Sequence, residues 1–218
     1  MHIKPLFSDL AAPEVALGWG LIDSLQGEPN TDEWLDIQHA APTRQQEFIA
    51  GRHLVRQLSR SLGLPDAPVR RAEDRSPCWP VDRRGSLSHC ATLCAAAVSK
   101  ADATQSIGID VERIGRVETK LWPTLFTARE CTYLEQLEVA AARLEATLFF
   151  SAKESFYKCQ YPLTRNWVGF QDVELQRTSD TTLRVTPTRS APRPWHGSPI
   201  HTVRLESAHV ATLMALPA

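Results

Sequence analysis

The sequence predicts an α+β fold. Three observations carry that prediction. An apolar repeat with helical spacing runs from Phe48 to Leu62, a strict alternation surrounds Asp110, and alternating segments separated by polar turns fill the C-terminal quarter.

In "PTRQQEFIAGRHLVRQLSRSLGL", Phe48, Ile49, Leu54, Val55, Leu58 and Leu62 fall on one helical stripe, and Gly63 is a natural stop. Arg52, Arg56 and Arg60 step by four and share a face. A solvated basic stripe is the plain reading, and for Arg60 it is the expected one. The next stretch, "DAPVRRAEDRSPCWPVDRRGS", is rich in Pro and Arg and reads as loop with short strands. "GSLSHC" reads as a small polar turn ahead of a buried strand, apolar from Leu93 to Val98.

Ile107, Ile109 and Val111 then alternate with Gly108, Asp110 and Glu112, the period of a strand. Thr127 is expected to cap a helix over "TARECTYLEQL", with Glu130 completing a capping box. A longer helix follows from near Glu138 and runs through "FSAKESFYKC". "FQDVELQRTSDTTLRVTPTR" and "IHTVRLESAHVATLMALP" read as antiparallel strands and hairpins. "SHCATLCAAAV" and "AHVATLMALPA" echo each other, a faint sign of two lobes ending their sheets alike.

With 218 residues, one compact unit or two small lobes are both allowed. Hydrophobic residues make up 43%, enough for a core, and a formal net charge of -1 gives no global field for nucleic acid or an anionic membrane. No apolar run approaches the roughly 20 residues of a membrane span, and the N-terminus lacks a secretory h-region, so a cytoplasmic protein is expected. Five irregularly spaced cysteines argue against a disulfide framework. Cys90 and Cys94 lack the second close pair that a zinc site needs, so buried thiols are expected.

Candidate chemistry lies in three places. Asp110 and Glu112, two apart on a strand, point to one face, and paired carboxylates repel unless a cation stands between them. Oxygen ligands of this kind suit Mg²⁺. The plainer alternative is a strand end whose solvated acids are neutralised by Arg113 or Arg116. In "FSAKESFYKC", Ser151 and Glu154 fit a capping box, yet the helix is expected to start upstream, which leaves Ser151 interior. Glu154 and Lys158 at i, i+4 could be a surface ion pair, worth about 0.2–0.5 kcal/mol. The aromatic residues around them suggest partial burial, and buried charges need partners. Ser88 and His89, with the backbone N–H groups around them, could hold phosphate oxygens, although a turn with one His is more often structural.

Together, "GIDVE" and Phe150–Lys158 resemble the signature pair of the Sfp-like 4'-phosphopantetheinyl transferases. "EFIAGRHLVR", "DRSPCWP" and "GSLSHC" are similar to that family's N-terminal blocks, especially in the branch typified by enterobactin synthetase component D. The likeness extends from about Arg44 to Lys158 and fades in the last sixty or so residues.

The resemblance implies a monomer of two similar lobes in a pseudo-twofold arrangement, residues 1–105 and 106–218, with the active site in the cleft between them. It implies Mg²⁺, coenzyme A as substrate, and an apo acyl, peptidyl or aryl carrier protein as partner. By position, Asp110, Glu112 and Glu154 are the implied metal ligands. Lys153 and Lys158 are implied at the phosphates and leaving group; Lys153, about a third of a turn from Glu154, would reach the same ligand from its flank. Ser88 and His89 are implied at coenzyme A phosphates, Arg52 and more loosely Arg44 on the nucleotide side, and Arg75 with Pro77 at the adenine. Either Glu154 or a metal-bound water is the implied base. Trp122, Leu125 and Phe126 in the stretch Arg116 to Leu137 are candidate carrier contacts, or equally core residues. A protein that binds carrier or coenzyme A without transfer is the alternative, and a metal triad speaks against it. An unrelated Mg²⁺-dependent phosphotransferase lacks support, because no Walker-type or kinase motif is present.

Overall fold

The computed structural model describes residues 3–10, 13–25, 27–186, 195–206 and 208–218. The chain divides into two compact units, residues 1–107 with 215–218, and residues 108–214. Each mixes helix and sheet.

In the first unit, strands β1 (Lys4–Pro5), β2 (Val15–Leu21), β5 (Arg83–His89) and β6 (Leu93–Lys100) form one antiparallel sheet in the order β1-β2-β6-β5. The central strand β6 is built of small apolar residues and is buried from Leu93 to Ser99. Helix α2 (Pro42–Ser61) opens with Pro at its first position, where the missing N–H costs nothing, and ends before Gly63 at φ +71°. Its stripe Ala50, Leu54, Val55 and Leu58 joins Ile22, Leu25, Val69, Cys94, Ala96 and Val98 in one core. Each fully buried Leu or Val contributes about 1.5–3 kcal/mol. The short helix α1 (Thr31–Leu35) starts at Asn30, whose side chain accepts from Asp32 N at 2.9 Å. Strands β3 (Arg70–Arg71) and β4 (Pro77–Cys78) pair as a small hairpin.

"GSLSHC" differs from its expected turn. It is mostly strand β5, and the turn lies after it at Cys90–Thr92. Ser86 and Ser88 are buried on the ladder to β6. Hydroxyls there are compatible with a strand because the backbone groups are already paired.

Strand β7 (Thr104–Arg113) carries the chain across the boundary between the units. The five-stranded sheet runs β7-β11-β10-β9-β8, with β8 (Glu174–Ser179), β9 (Thr182–Thr186), β10 (Pro199–Leu205) and β11 (His209–Pro217). Helices α3 (Trp122–Leu125), α4 (Ala128–Glu135) and α5 (Val139–Thr164) belong to the second unit. Thr127 and Glu130 form the expected capping box of α4. Helix α5 starts at Val139, so Ser151 is interior and buried.

The echo between mid-chain and C-terminus does not keep one structure. Thr92 lies in a hairpin turn, whereas Thr212 sits in the middle of β11 and is fully buried. No helix among the described residues is long and apolar enough to cross a membrane. All five cysteines are free thiols, with Cys94 and Cys159 buried and Cys78 exposed.

Candidate active site

The second unit holds a cluster of charges between β7 and α5. Gly108, Asp110 and Glu112 share the face of β7 turned to α5. A Cβ on Gly108 would stand 2.0 Å from Ser155 O and 2.7 Å from Cys159 N, so only glycine lets strand and helix backbones approach this closely. Two residues on, Asp110 therefore meets the next part of α5. Its Oδ1 accepts from Lys158 Nζ at 2.7 Å. Glu112 pairs with Arg116.

The solvated-acid reading of this strand is overturned. Asp110 is 3% exposed and Glu112 5%, because β7 is buried on both faces. Ile107, Ile109 and Val111 fill the other side as expected. Glu112 Oε2 is buried with no hydrogen-bond donor among the described residues. Burial, reinforced by the negative charge of Asp110, raises the Glu112 carboxyl above the usual range despite Arg116. Glu154 behaves alike: burial raises it and Asp110 adds to the rise, with Lys158 and Arg116 opposing. It has no hydrogen bond or ion pair among the described residues. Leaving carboxylates half-satisfied in a buried setting costs free energy, and such sites are candidates for function.

The plain alternative, a surface ion pair between Glu154 and Lys158, is not formed. Lys158 reaches across to Asp110, leaving Glu154 open. Lys153 also departs from expectation. It is 3% exposed, and its three protons go to Glu130 Oε2 at 2.6 Å, Phe170 O at 2.6 Å and Leu125 O at 3.1 Å. A third of a turn on a buried helix was enough to send it into the core instead of toward a ligand.

Other residues of the α5 motif hold the helix in place. Ser151 Oγ lies 3.0 Å from Thr212 Oγ1, and Ser155 Oγ donates to Thr212 O at 2.9 Å, fixing the helix on β11. Phe150 stacks on Phe170 at 5.4 Å, with Arg116 5.7 Å from its ring centre. Tyr157 stacks on Tyr161 and meets Trp167 edge-on at 5.4 Å, and Trp167 is 80% exposed. Trp122 and Phe126, candidate carrier contacts, are core residues at 7% and 1% exposure, and the exposed apolar side chains nearby are Leu121 and Val139.

In the first unit, Arg44, His89, Ser88 and Arg52 supply polar groups from α2 and β5. Arg44 Nη1 donates to His89 Nε2 at 2.5 Å, which leaves the ring proton on Nδ1, 3.6 Å from Glu47 Oε2. Arg44 also donates to Glu47 at 3.1 Å. Arg52 is buried over Phe48 and donates Nε to Val69 O at 2.6 Å, without an ion pair among the described residues. Burial pulls its guanidinium down to about 10, only partly offset by Glu33. A buried cation with no carboxylate in direct contact among the described residues is a ready anion receptor. Arg75 sits in the β3–β4 turn at φ +67°, with Pro77 opening β4.

The residues that the motifs did not single out are Glu47, on Arg44 and His89, and Arg116, on Glu112. A glutamate three positions after Arg44 on a helix was a legible signal. Arg116, a possible neutraliser of the strand's acids by its place in the sequence, fills that role toward Glu112.

As to metals, all three candidates are oxygen donors, which fits Mg²⁺ and not a thiolate-seeking ion. Among the described residues no three His, Cys, Asp or Glu side chains are grouped to hold a metal ion by themselves. A Mg²⁺ site needs only one or two protein carboxylates, completed by water and phosphate oxygens, and Glu112, whose Oε2 has no donor among the described residues, beside Asp110 meets that need.

Comparison with known proteins adds the lineage. Residues 32–99 match the 4'-phosphopantetheinyl transferase N-terminal domain, and residues 106–213 match the 4'-phosphopantetheinyl transferase superfamily. The chain belongs to the 4'-phosphopantetheinyl transferases. It is 35% identical over 146 residues to 4'-phosphopantetheinyl transferase PptT of Mycobacterium tuberculosis, covering 67% of this chain and 64% of that one. It is 37% identical over 144 residues to enterobactin synthase component D of Escherichia coli K12, covering 65% and 66%. The chain thus matches slightly less than two thirds of these relatives' own lengths. Among solved structures, a holo-(acyl-carrier-protein) synthase from Bacillus anthracis is similar at TM-score 0.41 and 17% identity, over 53% of this chain and 98% of that one.

Proposed function

We propose that this 4'-phosphopantetheinyl transferase moves the 4'-phosphopantetheine group of coenzyme A onto a serine of an apo carrier protein domain and releases 3',5'-ADP. The observation that carries the reading is the set Asp110 and Glu112, both buried, with the half-buried Glu154, gathered beside Lys158, in which Glu112 Oε2 and Glu154 have no partner among the described residues. A pure binding protein has no use for such a set.

The serine oxygen bonds to the β-phosphorus of the pyrophosphate as the bond to the bridging oxygen breaks, and 3',5'-ADP carries that oxygen away. Glu154 is the assigned base. Its carboxylate is unengaged, and burial raises its proton affinity toward that of a useful acceptor. Lys158, half-buried on Asp110, can swing its ammonium to the leaving phosphate. Glu112 and Asp110 are the assigned holders of Mg²⁺, which when bound offsets pyrophosphate charge. Arg44, Arg52, Ser88 and His89 are assigned to the 3'-phosphate and pyrophosphate oxygens, and Arg75 with Pro77 to the adenine. Lys153 has no part in binding.

The reading makes the protein a cytoplasmic monomer, since the cytoplasm supplies coenzyme A and keeps thiols reduced. Its carrier serves siderophore, nonribosomal peptide or polyketide assembly. The test is to incubate the protein with coenzyme A, Mg²⁺ and a panel of apo carriers and weigh the carriers. A phosphopantetheine mass gain on at least one supports transfer; no gain on any carrier overturns it.

A further inference from the structure

We propose that Asp36, seconded by Glu33, is a positioning residue for the nucleotide end of the substrate, acting through the β3–β4 hairpin and Arg52. The inference rests on the transferase reading above and assigns roles to two carboxylates that touch no candidate ligand group themselves.

The hairpin cannot place itself. Its ladder has two residues per strand, Arg70 opposite Cys78 and Arg71 opposite Pro77, and an isolated two-stranded ribbon is marginal in water. Its turn, however, is stiff. Arg75 N donates to Ala72 O and Ala72 N to Ser76 O, both at 2.9 Å. Asp74 Oδ1 accepts from Ser76 N at 2.9 Å and from Ser76 Oγ at 2.6 Å. A stiff turn on a weak ladder goes where its strands are held.

The holding comes from α1 and its end. Asp36 takes a two-pronged grip on Arg70, with Nε on Oδ2 at 2.9 Å and Nη2 on Oδ1 at 2.8 Å, and accepts Arg71 N at 2.8 Å. All three bonds go to β3, next to the turn that carries Arg75. Bidentate arginine–carboxylate pairs fix direction as well as distance. One residue earlier, both backbone polar groups of Val69 are gripped. Its N–H donates to Glu33 Oε1 at 2.9 Å, and its carbonyl accepts from Arg52 Nε at 2.6 Å. Glu33, 1% exposed, is itself anchored by Arg56 at 2.5 Å. With Nε spent on Val69, the direction of Arg52's remaining guanidinium nitrogens is set by where β3 lies. The carboxylates of α1 therefore fix Arg75 and Arg52 together.

Titration calorimetry with coenzyme A and with 3',5'-ADP, on wild type, Asp36→Asn, Asp36→Glu and Arg70→Gln, tests this well below the unfolding temperature. Asp36→Asn and Arg70→Gln should each weaken both ligands by about fivefold or more, and the double variant should lose no more than either single one. Asp36→Glu should recover part of the loss. In turnover, KM for coenzyme A should rise while kcat and the KM for the carrier stay within about twofold, a split that general loosening of the fold does not produce. If wild type binds both ligands and the folded Asp36→Asn and Arg70→Gln variants bind them equally well, this inference is wrong and the transferase reading stands. If wild type binds neither ligand, both fall.

Discussion

Two lysines five residues apart on one helix meet opposite fates. Lys153 lies 3% exposed with all three protons donated, one to Glu130 and two to backbone carbonyls. Lys158 is 27% exposed at its side chain and has Asp110 as its salt-bridge partner. Around Lys153 the acceptors are also satisfied: Glu130 takes Thr127 N at 2.8 Å and Leu175 N at 2.7 Å besides the lysine. Around Lys158 they are not, since among the described residues Glu112 Oε2 lacks a donor and Glu154 has no hydrogen bond or ion pair. The contrast teaches that a charge in a family motif is not thereby a catalytic charge. A completed network stabilises one conformation, and an incomplete one has capacity left for a ligand.

The largest effect should come from Glu154→Gln. Transfer should fall on the order of a hundredfold or more, read by carrier mass against time. In metal-free buffer at neutral pH the same variant should melt slightly higher than wild type, because a neutral amide replaces an unpaired half-buried carboxylate. A variant with normal transfer would break the comparison at its active end. Lys153→Met should do the reverse. It strands Glu130 in the core, where breaking a buried pair costs about 3–5 kcal/mol, so the melting temperature should drop sharply. Whatever protein remains folded should keep near-normal KM for coenzyme A. Loss of coenzyme A affinity in a folded Lys153→Met protein would return that lysine to the site.

Gly108→Ala should come next. Overpacking typically costs about 1–3 kcal/mol, and here the clash is with Ser155 O and Cys159 N, backbone that cannot rotate away. Both stability and transfer should fall, since β7 must shift and carry Asp110 with it. An Ala variant with unchanged melting and activity would mean the strand–helix contact is looser than it looks. The smallest effect is a pH dependence at Asp36. Its hydrogen bonds from Arg70 hold the carboxyl below the ordinary value of 3.8. A lowered folded-state pKa contributes stability above the unfolded value that is lost as pH falls through the folded one. Wild type should therefore melt slightly higher than Asp36→Asn at neutral pH, and the gap should close in acid below 3.8. Arg70's side chain is 43% exposed and its charge partly screened, so a shift of a few degrees at most is expected.

Much of this was legible beforehand. Helix α2, the capping box at Thr127, the upstream start of α5 and strand β6 follow from periodicity and end signals that depend only on neighbours in sequence. "GSLSHC" favours a turn locally because serine and glycine are turn formers, while pairing with β6 is a non-local choice. The echo of Ala-Thr-Leu misled for the same reason. Trp122 and Phe126 could have been surface or core, and aromatic packing decided it: Trp122 meets Phe126 edge-on at 6.5 Å, and Phe126 meets Phe149 edge-on at 6.3 Å.

What the sequence alone determined is which groups are available and in what order: alternating carboxylates on a strand, and a glutamate and lysine one helical turn apart. Those follow from backbone periods of two and 3.6 residues, which are local geometry. Tertiary structure decided which groups are satisfied. It sent Lys153 to Glu130, Lys158 to Asp110 and Arg52 to Val69, and it left Glu154 without a hydrogen bond among the described residues. Hydrogen-bond satisfaction depends on residues far apart in the chain brought within about 3 Å, and no local pattern carries that information.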